Sequence, residues 1–403
     1  MYFLYYLLYI CSSIRPLAIT DDNYQECINN ASGIPIFVEV WDKSFYESKS
    51  YRPTWKEIYS MDDYKGKIIF ADLNCNYEPY ICQKIGPGRI YPRFVIINTT
   101  TGETRQYTGG TNKEEIKEWI ERQLSDPIEI LKDQSDFNNV LPVCVKMSLF
   151  KFSISENDKE SIEIATKAAI ETRHLQIKIV MMLDKDNHEP NLIHYTPDKR
   201  EVSFHRNESN SDNEFTVENL SKFIKIHALR FFLPYSYRID HFSFVEDTPV
   251  EVFLYDHNND MFKNRAIDAA KQVEDMLPTA QTGCEFSSFF CRYVGVFNDK
   301  RGVAVIIDKH NNLFWVSNLD KNVKNWTRDV LQGKVKGSGP GTGVMKEYLM
   351  LFYDMRAKGG WQYYLIFFPF GVLIFGVFIV IFVIACIVNP NPAPNPTDRR
   401  HAD

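Results

Sequence analysis

The chain has 403 residues, 44% hydrophobic and 24% charged, with 46 basic against 52 acidic side chains and a net charge of −6. A chain of this length holds roughly two to four domains, and its composition is that of folded domains, which excludes a disordered chain. The mild acidity and the lack of a strongly basic stretch argue against a nucleic-acid partner.

The N-terminus is apolar from Tyr2 to Ile10, then small and polar from Cys11 to Thr20. A run of this length fits the core of a signal peptide and is too short to span a bilayer. Residues 1–18 are therefore expected to be a signal peptide, cleaved near Ser13 or Ala18, against the competing reading of a first core strand. Near the other end no charged side chain occurs from Tyr363 to Val388. A crossing needs roughly 20 apolar residues, so residues 363–388 are expected to form a single transmembrane helix. Trp361, Tyr363 and Tyr364 supply an interfacial aromatic collar, and Pro369 lies near the start, where its missing hydrogen bond is tolerated. The tail 389–403 is Pro- and Asn-rich and expected to be extended and cytosolic. Arg399 and Arg400 fit that side, although Arg356 and Lys358 on the other blunt the charge rule. These segments predict a single-pass type I membrane protein with most of its chain in the secretory lumen. Asn-x-Ser/Thr acceptors at Asn30, Asn98, Asn207, Asn219 and Asn325 all fall on the lumenal side and predict a glycoprotein.

Between the ends, a first unit is read over 21–125. Ile34 to Trp41 is a buried strand, Trp55 to Met61 a helix, Lys67 to Leu73 a second strand and Glu78 to Ile85 a short helix. A strand is entered through Tyr91-Pro92, Gly102-Glu103 turns into a partner strand, and Lys113 to Leu124 closes the unit with Ile116, Trp119 and Ile120 on helical spacing. A second unit over 126–235 has a strand at Ser148 to Ile154, a helix from Lys159 to Thr172, a strand at Ile177 to Leu183, and a closing helix capped by Thr216. A third over 236–336 has a strand at Val250 to Asp256, a helix from Asn264 to Leu277, and a hairpin around Asn311-Asn312. Gly337 to Gly343 reads as a flexible linker within a juxtamembrane stretch, 337–362.

An internal repeat supports this parsing. Cys75 and Cys82 are seven apart with Gly86 four further on, and Cys284, Cys291 and Gly295 repeat the spacing. Ten residues past Cys82 stands Pro92; ten past Cys291 stands Arg301. Cys27 and Cys144 have no evident partner.

The segment VEVWDKSFYESKSYRPTW, residues 38 to 55, resembles the active-site segment of protein disulfide isomerases. Trp41 takes the aromatic position, Lys49 the basic one, and Pro53 and Trp55 the Pro-x-Trp. The two cysteine positions fall on Phe45 and Ser48. Thiol exchange needs one thiolate to attack and a second thiol to resolve the mixed disulfide, and neither residue provides a thiol. Tyr91-Pro92, the Tyr107–Gly110 segment and DVLQGK before the linker resemble the same family. The resemblance implies an α/β fold of three tandem thioredoxin-like domains of βαβαββα type, followed by the transmembrane helix, with residence in the endoplasmic reticulum membrane. It also implies a cis bond before Pro92, and structural disulfides joining Cys75 to Cys82 and Cys284 to Cys291. Glu39 matches the buried acid that relays protons in active members. The family's lysine partner corresponds here to Phe70, which leaves the carboxylate without that partner.

No cofactor is implied, and no His/Cys metal spacing, phosphate loop or Ser/His/Asp array occurs. The leading expectation is a redox-inactive member that binds unfolded or partner polypeptides through Phe45, Tyr46, Tyr91 and Pro92, the last beside a loop whose backbone pairs with an extended chain. Two alternatives are a disulfide isomerase acting through the 75/82 or 284/291 pair, and a membrane scaffold recruiting other folding factors.

Overall fold

The computed structural model describes residues 15–85, 91–109, 111–185, 189–196, 200–204, 214–296, 302–319, 322–342, 346–359 and 380. Its first sheet takes β1 (Leu17–Ala18), β2 (Ile36–Trp41), β3 (Ile69–Asn74), β4 (Arg93–Ile97) and β5 (Thr104–Gln106) in the order β1-β3-β2-β4-β5. The first three strands are parallel; β4 and β5 run antiparallel. Helices α1 (Tyr24–Asn30), α2 (Tyr46–Tyr59), α3 (Pro79–Ile85) and α4 (Lys113–Leu124) cover it.

Side chains alternate across a strand, and β2 divides the core accordingly. Ile36, Val38 and Val40 join Ile19, Leu73, Ile81 and Cys82 on one face. Phe37 meets Trp55, Phe94, Trp119 and Ile120 on the other. Glu39 therefore points into the aromatic face, and its 0% exposure confirms this.

The plan recurs twice. The second sheet holds β6 (Glu129–Leu131), β7 (Ser148–Ser155), β8 (Ile177–Asp184), β9 (Asn191–Tyr195) and β10 (Glu201–Ser203), with α5 (Gln134–Val140), α6 (Lys159–Glu171) and α7 (Val217–His227). Thr216 caps α7 as expected, its hydroxyl accepting from Asn219 N at 3.3 Å. The third holds β11 (Leu233–Pro234), β12 (Val250–Leu254), β13 (Thr279–Thr282), β14 (Val303–Asp308) and β15 (Leu313–Asn318), with α8 (Tyr237–Val245), α9 (Asp260–Val273), α10 (Ser288–Val294) and α11 (Val323–Leu331).

Several expectations are corrected. The first domain begins ahead of Asp21, because Leu17 and Ala18 pair with Ala71 and Asp72 and Ile19 enters the core. The third begins at Leu233, where β11 pairs with β13. Helix α2 starts at Tyr46 rather than near Trp55, carrying Pro53 inside it. The 337–343 stretch is no free linker over its described part. Ser338 pairs with Phe314 on the sheet edge, Pro340 is buried, and α12 (Lys346–Lys358) packs on α10. Tyr353 fits between Tyr293 and Phe314, at 5.5 and 5.6 Å between ring centroids. These aromatic contacts compensate for the chain entropy that Gly337, Gly339 and Gly341 cost on ordering.

Among the described residues no helix is long and apolar enough to cross a membrane. The expected signal-peptide core, residues 1–14, and the expected span 363–388, apart from Val380, lie outside the described residues. So does the acceptor Asn207.

The domains are joined by polar contacts that no sequence pattern announces. Trp119 Nε1 donates to His174 O and Gln123 Nε2 to Arg173 O, both at 2.7 Å, tying the first domain to the second. Glu246, buried just after α8, lies 2.7 Å from His174 Nε2 and 3.3 Å from Lys225 Nζ, tying the second to the third. His241 of α8 places Nε2 3.1 Å from the Tyr107 carbonyl, tying the third to the first. One apolar cluster runs through the second and third domains from Phe150 to Phe314.

Candidate functional site

Strand β2 ends at Trp41, and a short loop leads to Phe45, which caps α2 with extended backbone (φ −93°, ψ 128°). Phe45 thus stands at a helix N-terminus, where unpaired backbone N–H groups stabilise a thiolate when one is present. Here the position carries a phenyl ring, 37% exposed and packed 5.0 Å from the Tyr91 ring. Tyr46, 77% exposed, projects beside it. One turn along α2, Ser48 is fully buried and its hydroxyl accepts from Asp42 N at 3.4 Å. The peptide bond between Tyr91 and Pro92 is cis, as expected.

Of the four residues expected to meet a peptide, three lie together and partly open: Phe45, Tyr46 and Tyr91. Pro92 is corrected. It is buried, and it bounds a small cavity with Arg93, Tyr107 and, from α8, Tyr237 and His241. The third domain therefore covers one flank of the proline. Burial pushes His241 down to about 4, keeping this lid neutral.

The aromatic surface extends further than the sequence reading placed it. Lys43 Nζ donates to the Tyr77 hydroxyl at 3.0 Å and lies 4.6 Å from that ring's centroid, while its backbone N donates to Asn76 Oδ1 at 2.7 Å. These bonds fix the Phe45 loop to the loop holding Tyr77 and Tyr80, which are 66% and 68% exposed. Both tyrosines sit inside the loop closed by the disulfide Cys75–Cys82. The matching disulfide, Cys284–Cys291, closes a loop with exposed Phe286 and Phe289. An aromatic two and five residues after the first cysteine was a legible repeat, and the cysteine spacing alone concealed it.

Glu39 is buried, as expected. In place of the family's lysine it has a cationic partner the sequence did not indicate, because Arg52 on α2 reaches over and donates Nη1 to Glu39 Oε2. Its Nη2 donates to Asp72 Oδ2 at 2.8 Å, and Asp72 Oδ1 accepts from Trp55 Nε1 at 2.6 Å. Parallel register sets Glu39 beside Asp72, so two carboxylates share one guanidinium. Burial raises Glu39 to about 8; Arg52 opposes the shift and Asp72 adds to it. The other oxygen, Oε1, is buried with no hydrogen-bond partner.

Of the expected glycosylation acceptors, Asn30 and Asn325 are exposed. Asn98 is half-buried and its side chain accepts from the backbone of Thr100 and Thr101; Asn219 is half-buried, donating to Glu214 O. Cys27 is half-buried and Cys144 buried.

The thioredoxin family model matches residues 15–122, a range that includes β1 and ends within α4. A protein disulfide-isomerase-like protein of Emiliania huxleyi, EhSep2, is 28% identical over 115 residues. Residues 15–122 thus form a thioredoxin domain, and the chain is similar in part to protein disulfide isomerase-like proteins. The match with EhSep2 covers 28% of this chain and 50% of that relative, so the chain aligns with about half of the relative's length. Among solved structures, human ERp44 is 14% identical with a TM-score of 0.42, covering 79% of this chain and 86% of that one. The first two thioredoxin domains of Saccharomyces cerevisiae Eps1p are 14% identical with a TM-score of 0.35, covering 52% of this chain and 97% of that one.

Proposed function

We propose that this protein is a redox-inactive, membrane-anchored relative of the disulfide isomerases that binds unfolded polypeptides in the lumen of the endoplasmic reticulum. The observation that carries the reading is the pairing of an exposed Phe45 and Tyr46 with a sealed Ser48 at the helix start. A surface built for thiol exchange presents sulfur there; this one presents rings. Phe45, Tyr46 and Tyr91, extended by Tyr77 and Tyr80, offer flat apolar faces of the kind that dominate polypeptide recognition.

The anchor is the uncharged stretch 363–388, and glycans at Asn30 and Asn325 fit the exposed, lumenal placement of those side chains. A leader ending near Ser13 keeps β1, whereas cleavage after Ala18 removes a paired strand. Other folding factors are further candidate partners, reached through the third domain.

A second reading, thiol exchange through Cys75–Cys82, draws on the half-buried Cys75 beside the exposed aromatics. The burial of Cys82, at 4% exposure, weighs against it, since exchange needs access to the attacked sulfur.

The test is light scattering from a thermally unfolding client protein, with and without the full-length chain in vesicles. The wild-type chain suppresses scattering; Phe45→Ser/Tyr46→Ser weakens client affinity by about tenfold, the loss expected for truncating a ring at a hot spot. Equal suppression by both chains removes the peptide-binding role from this surface.

A further inference from the structure

The third domain carries a disulfide-closed aromatic pair with the layout of the first, yet nothing in the proposed client site involves it. Phe286 is 72% and Phe289 52% exposed, and Met261 at the start of α9 adds a 58% exposed thioether. The loop is rigidly framed. Cys284–Cys291 closes it, Phe290 turns inward onto Tyr235 at 4.2 Å between centroids, and His257 stands edge-on to Phe286 at 5.0 Å. A held-out, unpartnered apolar pair of this kind marks an interaction surface.

The path of the chain identifies what covers it. Helix α12 ends against α10: Arg292 Nε donates to Ala357 O at 2.6 Å, and the Arg292 side chain lies 3.3 Å from where a Cβ on Gly359 would stand. The described residues run without a break from Lys346 to Gly359, and the uncharged stretch begins at Tyr363. Four residue steps span at most about 14 Å, so the bilayer proposed as the anchor's surroundings starts close to Arg292. Phe289 precedes Arg292 by three residues on α10, which puts it on the same helical face about 5 Å along the axis. Resting on the proposed anchor, we infer that Phe286 and Phe289 dip into the interfacial layer of the membrane and hold the third domain against it. Glu285 and Asp260, next to Phe286 and Met261 in the chain, balance the charges of Arg292 and Arg356 near the chain's exit, so the partner is a zwitterionic phosphatidylcholine surface. Arg292 and Arg356 stand at the chain's exit, at headgroup level.

The experiment places the full-length chain in phosphatidylcholine vesicles doped with a photoactivatable phosphatidylcholine, and maps lipid adducts by mass spectrometry. Adducts on the 284–291 loop several-fold above those on the 75–82 loop are expected, because the two loops share a layout and only one adjoins the anchor. Phe286→Ser/Phe289→Ser loses the loop adducts and keeps those on 363–388. Adducts confined to 363–388 in the wild-type chain overturn the inference and leave the anchor standing. No adducts anywhere overturn the anchor, and the inference with it. Capture of a photoactivatable unfolded peptide by Phe286 and Phe289, with no lipid adducts on that loop, overturns the inference in favour of a second client site.

Discussion

Arg52 and Glu39 form a hydrogen-bonded contact across the aromatic face of the first domain, with Asp72 on the guanidinium's other nitrogen. One cation thus serves two carboxyl groups that the parallel register of β2 and β3 sets side by side. Removing it in Arg52→Met leaves both acids facing each other. The half-open Arg52 side chain tempers the cost expected for a fully buried pair, so a loss of about 2 kcal/mol is expected from the urea midpoint. Glu39→Gln keeps an acceptor for Arg52 and is tolerated.

Glu251 on β12 supplies a cleaner test of buried acid. It is fully buried, its Oε2 lies 3.0 Å from Thr327 Oγ1, and burial raises it to about 8. Thr327 has one hydroxyl proton and a second acceptor, Val323 O, at 2.9 Å; a protonated Glu251 donating to Thr327 leaves that proton for Val323 O. Because the folded value lies above the unfolded one, the folded state holds the extra proton between about pH 4.5 and 8. Stability therefore falls as pH rises through that window. Glu251→Gln is expected to flatten the fall, so that the thermal midpoint of the variant gains on wild type from pH 5 to pH 8. A constant difference over that range would show that Glu251 is ionised throughout.

Glu246 works in the opposite sense. Burial alone would raise it, but His174 and Lys225 hold it below the ordinary carboxylate value. Its contribution is present above the unfolded value and lost as pH falls through the folded one, so the contact between the second and third domains loosens under acid conditions below about pH 4.5. Glu246→Ala removes the acceptor that His174 and Lys225 share and is expected to cost about 3 kcal/mol, read as faster hydrogen exchange in α8 and in the His174 turn.

Each disulfide closes a loop with a sequence separation of 7. The chain-entropy model assigns such a closure roughly 2.5 kcal/mol. Cys284→Ala/Cys291→Ala is expected to destabilise the third domain by that much, read as a lower denaturant midpoint, while the first domain's midpoint stays in place.

Much of this fold is legible in the sequence because strand alternation and buried runs are local signals. Ile36 to Trp41 and Val303 to Asp308 declare themselves, and Thr216 announces its helix. The start of α2 at Tyr46 was not legible, since Pro53 reads as a stop, although the helix tolerates it. The Arg52–Glu39–Asp72 cluster needs the register of two strands and the reach of a side chain thirteen residues from its partner, which no spacing rule supplies. The same holds for α8 over Pro92 and for α12 against α10, where distant segments meet through single aromatic rings.

The sharpest measurement is the rate of insulin reduction by the wild-type chain, by Cys75→Ser, and by Phe45→Cys/Ser48→Cys. Wild type and Cys75→Ser are expected to match the buffer rate, and the double variant to rise well above it, because the start of helix α2 and the Tyr91-Pro92 pair beside it still frame a thiol pair. Reduction by wild type that Cys75→Ser abolishes would contradict the reading of rings in place of reagents.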